Sequence, residues 1–265
     1  MAVPVAVLLI WEAIAIWIAP SVILPRVEDA FTHLLHPFSD IIGTGSLASN
    51  AAISAFRVVL GFLLAAIIGV PLGLIMGSSA LIRRLISPMV DVLRPLCPIA
   101  WLPFAMAVFK TTTVTNIWGI RYSNTIFDEV QLGMLFIIFW GGFFPILLNT
   151  IDGVIGVKKI YVESALTLKA RGRQTFTKVI LPAASPSIAT GLVIGLGISW
   201  MVLVAAEMLP GTNSGLGYLI IFAYELARMD VIIGGMIAIG IIGALLTWVL
   251  RMSTNRLTKW QAKER

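Results

Sequence analysis

The sequence predicts an all-α membrane protein of about six transmembrane helices, and three observations carry that prediction. Its 265 residues are 58% hydrophobic and 12% charged, with a mean hydropathy of +0.97. Soluble domains hold roughly 45–50% apolar and about 25% charged residues. Apolar runs of the roughly 17 to 25 residues that cross a hydrocarbon core as helices fall at about 3–19, 56–77, 88–109, 132–151, 186–208 and 230–250. The cations, finally, are shared unevenly between loops. Thirteen of them (Arg83, Arg84, Lys158, Lys159, Lys169, Arg171, Arg173, Lys178, Arg251, Arg256, Lys259, Lys263 and Arg265) stand in one alternate set, against Arg26, Lys110, Arg121 and Arg228 in the other. Cytoplasmic loops collect Lys and Arg, which places the first set, both termini and the loop after the fourth span in the cytoplasm. The net charge of +6 therefore reads as membrane topology, and nucleic acid is set aside as a partner.

Taken in order, the chain reads as one transmembrane domain over 1–265. It opens in an apolar run with neither a basic leader nor a small-residue cleavage site, so no cleaved signal peptide is expected, and a native start further upstream is left open. Glu12 in this first span reads as structural. Pro25 to Asp40 reads as an amphipathic helix in the interface, with Val27, Ala30, Phe31, Leu34 and Leu35 on one face. In the second span Gly69, Gly73 and Gly77 share a helical face, which predicts a close helix crossing, internal rather than between subunits. The third span carries Pro88, Pro95, Pro98 and Pro103, each of which removes a backbone donor, so it must be kinked or broken. Broken backbone at membrane depth is tolerated against protein or a water-filled path. Arg94 to Pro103 is therefore either a pathway wall or a kinked helix. Cys97, inside this run, reads as a packed thiol.

The extracytoplasmic segment 110–131, with its Thr run and Trp118, is too polar to be embedded and long for a connection. It reads either as a contact for a delivery protein or as an insertion without a role in transport. The cytoplasmic loop 152–185 contains the run from Glu163 to Pro182, basic and compatible with a helix, which suits docking to a soluble partner. In the fifth span Glu207 is an ionisable group at membrane depth, and it reads as a carboxylate bonded between helices, or as a gate or substrate contact.

The chemistry of catalysis is missing. His33 and His36 stand at a spacing that could share a metal but lack further ligands, and no Gly-x4-Gly-Lys-Ser/Thr loop is present, so this chain does not hydrolyse ATP itself. An intramembrane enzyme would need paired residues that are absent, and a passive channel or scaffold would have no use for the charged loop.

Glu163-Ser-Ala, followed nineteen positions after the glutamate by Pro182, resembles the "EAA" loop of the permease subunits of bacterial ABC importers. In that family the loop forms coupling helices that seat in the ATP-hydrolysing subunit. The resemblance implies contacts at Glu163, Ser164, Ala165, Leu168, Lys169, Ala170, Arg171 and Gly172. The family's usual glycine, six residues after the glutamate, is Lys169 here and Gly172 lies three later, so the bend is expected to shift. Arg94-Pro-Leu-Cys-Pro-Ile-Ala-Trp-Leu-Pro103, Phe144-Pro-Ile-Leu-Leu-Asn-Thr150 and Ala205-Ala-Glu-Met-Leu209, with Gly215-Leu-Gly217, are similar to the nitrate, bicarbonate, sulfonate and taurine branch, nearest to its nitrate importers. This implies the type I importer permease fold. It further implies a second permease subunit forming a homodimer, separate ATPase subunits that use ATP and Mg, and an extracytoplasmic substrate-binding protein. The translocation path or gate is then expected at Arg94, Pro98, Trp101, Pro103, Glu207 and Met208, in a bacterial inner membrane. The small anion would cross by alternating access, with Arg94 and half-helix N-termini offsetting its charge.

Overall fold

The computed structural model describes residues 2–18, 25–109, 130–209 and 212–257. Among them every extended element is helical. In chain order these are α1 (Ala2–Ile18), α2 (Val27–Leu35), α3 (Leu47–Ser78), α4 (Ala80–Leu93), a 3-10 turn (Pro98–Trp101), α5 (Leu102–Phe109), α6 (Leu132–Ile155), α7 (Lys159–Thr167), α8 (Gly172–Thr175), a π turn (Phe176–Ile180), α9 (Leu181–Glu207), α10 (Leu216–Glu225) and α11 (Met229–Leu257). Among the described residues four stretches are long and apolar enough to span a bilayer: Leu47–Ser78, Leu132–Ile155, Gly172–Glu207 and Met229–Thr254.

Two of the six expected spans fall outside these four stretches. The third, 88–109, is no single helix: α4 begins at Ala80, and the pair Ala80–Leu93 and Pro98–Phe109 is bent by 86°. Pro95 and Pro98 mark that break: neither can donate to the preceding turn, and Cys97 before Pro98 is extended at φ −58° and ψ 126°, as the residue before a proline prefers, whereas Arg94 before Pro95 keeps helical backbone at φ −57° and ψ −44°. The first expected span is α1, whose 17 residues rise about 26 Å at roughly 1.5 Å each. The loop expected over 152–185 is itself mostly helix, since α8, the π turn and α9 run on as one 36-residue stretch from Gly172 to Glu207.

The chain divides into two compact units. The first comprises Met1–Arg57, Thr112–Gln131 and Leu203–Ala244. Within it, Glu12 accepts a hydrogen bond at 3.0 Å from the Val27 amide, which satisfies one orphan donor at the start of α2 and bears out the structural reading of that glutamate. The interfacial helix is shorter than expected and its apolar face is divided. Ala30 is fully buried while Phe31 and Leu35 are exposed, because α2 packs through Ala30 and His33 onto Gly234 of α11.

The second unit comprises Val58–Thr111, Leu132–Val202 and Leu245–Arg265. Its centre is α6, which is 61% buried along its span against 33%, 44% and 22% for the other three long spans. The expected glycine crossing is present and internal. A Cβ on Gly69 would meet Ile146 at 3.2 Å, one on Gly73 would meet Thr150 at 2.6 Å, and one on Gly77 would meet Val154 at 2.6 Å. On the other side of α6, Gly191 and Gly195 of α9 approach Asn149 and Ile146 equally closely. In lipid no hydrophobic drive separates helix from solvent, so small residues that let backbones touch hold such a layer together by dispersion.

Candidate functional site

Three places hold the residues singled out in the sequence. The first is the turn between α7 and α8, expected on the cytoplasmic side. Glu163, Ser164, Leu168, Lys169, Arg171 and Gly172 are exposed and Ala165 and Ala170 are half-buried, with Leu168 83% exposed beside exposed Ile160, Tyr161 and Leu166. Together these apolar side chains form an exposed patch beside a charged turn. A cleft of about 500 Å³ runs along the same element, lined by Tyr161, Ser164, Ala165, Leu168, Lys178, Val179, Pro182 and Ala183.

The bend in this turn has not shifted. Lys169 takes a φ of 57°, the left-handed conformation that glycine adopts without penalty. The Lys169 amide donates to the Leu166 carbonyl at 2.9 Å and the Ala170 amide to the Ala165 carbonyl at 3.0 Å, the bond pair that closes a helix through a left-handed residue. Gly172 is instead the first residue of α8, where an added Cβ would meet nothing within 4 Å. The Arg171 amide before it donates to Gln174 Oε1 at 2.9 Å. The lysine therefore occupies the glycine's place in the turn and accepts its backbone strain.

The second place is the broken span. Arg94 caps α4, Pro98 opens the 3-10 turn, Trp101 closes it and Pro103 lies in the first turn of α5. A cavity of about 640 Å³ is lined by Arg94, Leu96, Pro98, Trp140, Phe144, Asn149, Asp152, Ile194 and Ile198, among others. Arg94 and Pro98 thus face open space, whereas Trp101 packs its ring on Trp140, with centroids 4.9 Å apart. Pro103 is absent from this lining. The cavity carries an acid, Asp152, as well as the expected cation. Cys97 is exposed, which corrects the expectation of a packed thiol: the chain turns there between α4 and the 3-10 turn, and no helix covers it.

The third place surrounds Glu207, in the first unit. Its carboxylate is fully buried and receives Arg57 Nη1 at 2.8 Å, Ser54 Oγ at 2.9 and 2.8 Å, and the Gly217 amide at 3.1 Å. Arg57 Nη1 also donates to the Ser214 carbonyl and Nη2 to Ser214 Oγ, both at 2.9 Å, while Asn50 Oδ1 accepts from the Gly215 amide at 2.8 Å. Of the two readings of Glu207, this geometry is that of a carboxylate bonded between helices. The neighbouring Met208 is 37% exposed. Sequence reasoning missed Asn50, Ser54, Arg57 and Ser214. A signal existed for Arg57, since a guanidinium inside an apolar span requires an intramembrane carboxylate, and Glu207 is the acid of the fifth span. Among the described residues no group of three metal ligands forms. His33 Nε2 lies instead 3.0 Å from Asp230 Oδ2. The segment 110–129 lies outside the described residues.

Apolar spans, a span broken at prolines beside a cavity, and an exposed helical turn between α7 and α8 are the features of a membrane permease. The chain belongs to the family of binding-protein-dependent transport system inner membrane components, which it matches over residues 69–263. It is a multi-pass transport subunit and not an enzyme. It is 48% identical over 261 residues, 98% of this chain and 91% of the relative, to a putative ABC transporter permease protein of Methanocaldococcus jannaschii. It is 35% identical over 249 residues, 92% and 84% of the two chains, to a nitrate import permease protein of Synechocystis. To the taurine transport system permease protein of Escherichia coli it is 32% identical over 258 residues, 96% and 86% of the two chains.

Proposed function

We propose that this chain is the permease subunit of an ATP-binding-cassette importer for a small oxyanion, nitrate first among the candidates, with bicarbonate, taurine and alkanesulfonates as the alternatives. The observation that carries the motor is the exposed turn from Glu163 to Gly172, with Leu168 83% exposed on a short helix closed by its own backbone. A lever needs a stiff, self-contained end that a partner can grip, and a passive channel has no use for one. Two copies of the chain would surround the path, each turn seated on one ATPase that binds ATP and Mg. A binding protein on the other face would deliver the anion, and both termini would lie in the cytoplasm. Within the second unit the helical stretch that begins at Gly172 runs on through the fifth span, which supports a stiff link from this turn into that span, as alternating access requires.

Nitrate is favoured by the Arg94 to Pro103 and Ala205 to Leu209 runs. The path residues proposed are Arg94, Pro98, Trp101 and Pro103, with Met208 at the outer end beside the buried Glu207. The test is the ATPase activity of the complex in lipid, with its binding protein, titrated separately with nitrate, bicarbonate, taurine and an alkanesulfonate. Stimulation by nitrate alone is the expected result. Stimulation by another anion replaces the substrate, and failure of any ATPase to co-purify returns the channel or scaffold reading.

A further inference from the structure

Glu207 ends α9, and its carboxylate lies against the N-terminus of α10, a ten-residue helix whose first amides have no partner within their own helix. Those amides are taken in turn by Asn50 Oδ1, Ser54 Oγ and Glu207 Oε2. Arg57 supplies the countercharge, with its side chain 1% exposed and that of Glu207 0%. Gly215, at φ 111°, and Gly217 close the cage: a Cβ on Gly215 would fall on the carboxylate of Glu207, and one on Gly217 would lie 2.7 Å from Glu207 Cβ. Each hydrogen bond to the glutamate side chain is made to one of its two carboxylate oxygens. The cage thus recognises a planar O–X–O edge with one negative charge, through a charge-assisted bond, a hydroxyl and a helix-terminal amide.

We propose that this cage is a latent binding site for a small planar oxyanion, and that Glu207 is its built-in occupant. Nitrate, bicarbonate and formate present the same edge and the same charge as the carboxylate, so any of them keeps Arg57 neutralised when the side chain is out. A tetrahedral sulfonate carries a third oxygen outside the O–S–O plane that the carboxylate lacks, and chloride offers a single centre. The choice of physiological ligand rests on the oxyanion reading of the permease. The cage and its chemistry do not, since they are read from Asn50, Ser54, Arg57 and Gly217 alone.

The test vacates the cage and asks what refills it. In the full complex in lipid, Glu207→Ala should lower the thermal unfolding midpoint of the permease by several degrees. Nitrate, bicarbonate or formate at tens of millimolar should restore the midpoint, rising with the logarithm of concentration as mass action requires, and chloride at equal ionic strength and zwitterionic taurine at equal concentration should not. Glu207→Gln fills the cage with a neutral amide and should show no response to the anions. Arg57→Ala combined with Glu207→Ala should show none either. If Glu207→Ala folds only when purified in formate, that result supports the site. Equal recovery in chloride, or no recovery in any anion while Glu207→Gln folds, overturns it. Because the readout is stability in a variant, it is independent of the ATPase titration on the unaltered complex.

Discussion

Lys169 shows how one residue can depart from a pattern while the backbone keeps it. A left-handed residue other than glycine costs about 1–2 kcal/mol, because its Cβ crowds the following carbonyl. Lys169 accepts that cost at φ 57° because its two capping bonds would otherwise be lost with the turn. Lys169→Gly should therefore raise the stability of the complex by about 1 kcal/mol, a gain held down by the greater entropy glycine loses on folding. Gly172→Ala should be neutral to slightly stabilising, because an added Cβ there meets nothing within 4 Å. Unfolding of the two variants in detergent checks the pair, and a loss of stability from Lys169→Gly would show that the lysine side chain, not the backbone, holds the turn.

At the scale of elements, the second unit rests on backbones brought close by glycine, and the positions differ in what they tolerate. Gly73 of α3 faces Thr150, and an added Cβ would also lie 2.9 Å from the Leu147 carbonyl, which cannot move without α6. Overpacking of this kind costs about 1–3 kcal/mol, so Gly73→Val should destabilise the protein by at least that much and reduce its yield from the membrane. Gly197 of α9 has nothing within 4 Å of its Cβ position, and Gly197→Ala should be neutral or gain up to about 1 kcal/mol of helix propensity. Equal losses from both substitutions, in the same unfolding assay, would mean that the glycines serve flexibility rather than packing.

For the whole molecule, the proposed motor connection predicts a separation of assembly from folding. Leu168 is 83% exposed on the turn between α7 and α8, so Leu168→Asp should leave the unfolding midpoint of the permease unchanged while the ATPase no longer co-purifies in mild detergent. Glu163→Ala should retain the ATPase more weakly and uncouple hydrolysis from uptake. Normal assembly and transport in both would remove the turn from the coupling path.

The sequence by itself determined the solvent and the helices: runs of apolar residues, prolines and glycines act through local sterics and transfer free energy, and each can be read one segment at a time. Hence the helices, the break at Pro95 and Pro98, the crossing along Gly69, Gly73 and Gly77, and the position of the exposed turn between α7 and α8 were all legible, as was the family. What only the tertiary structure decided is pairwise and distant. Arg57 and Glu207 lie 150 residues apart, and nothing in either segment says that the two share a cage with Ser54, Ser214 and the start of α10. The bend at Lys169 was hidden for the opposite reason. Local propensity argues for the glycine three residues later, and the hydrogen bonds that close α7 outweigh it.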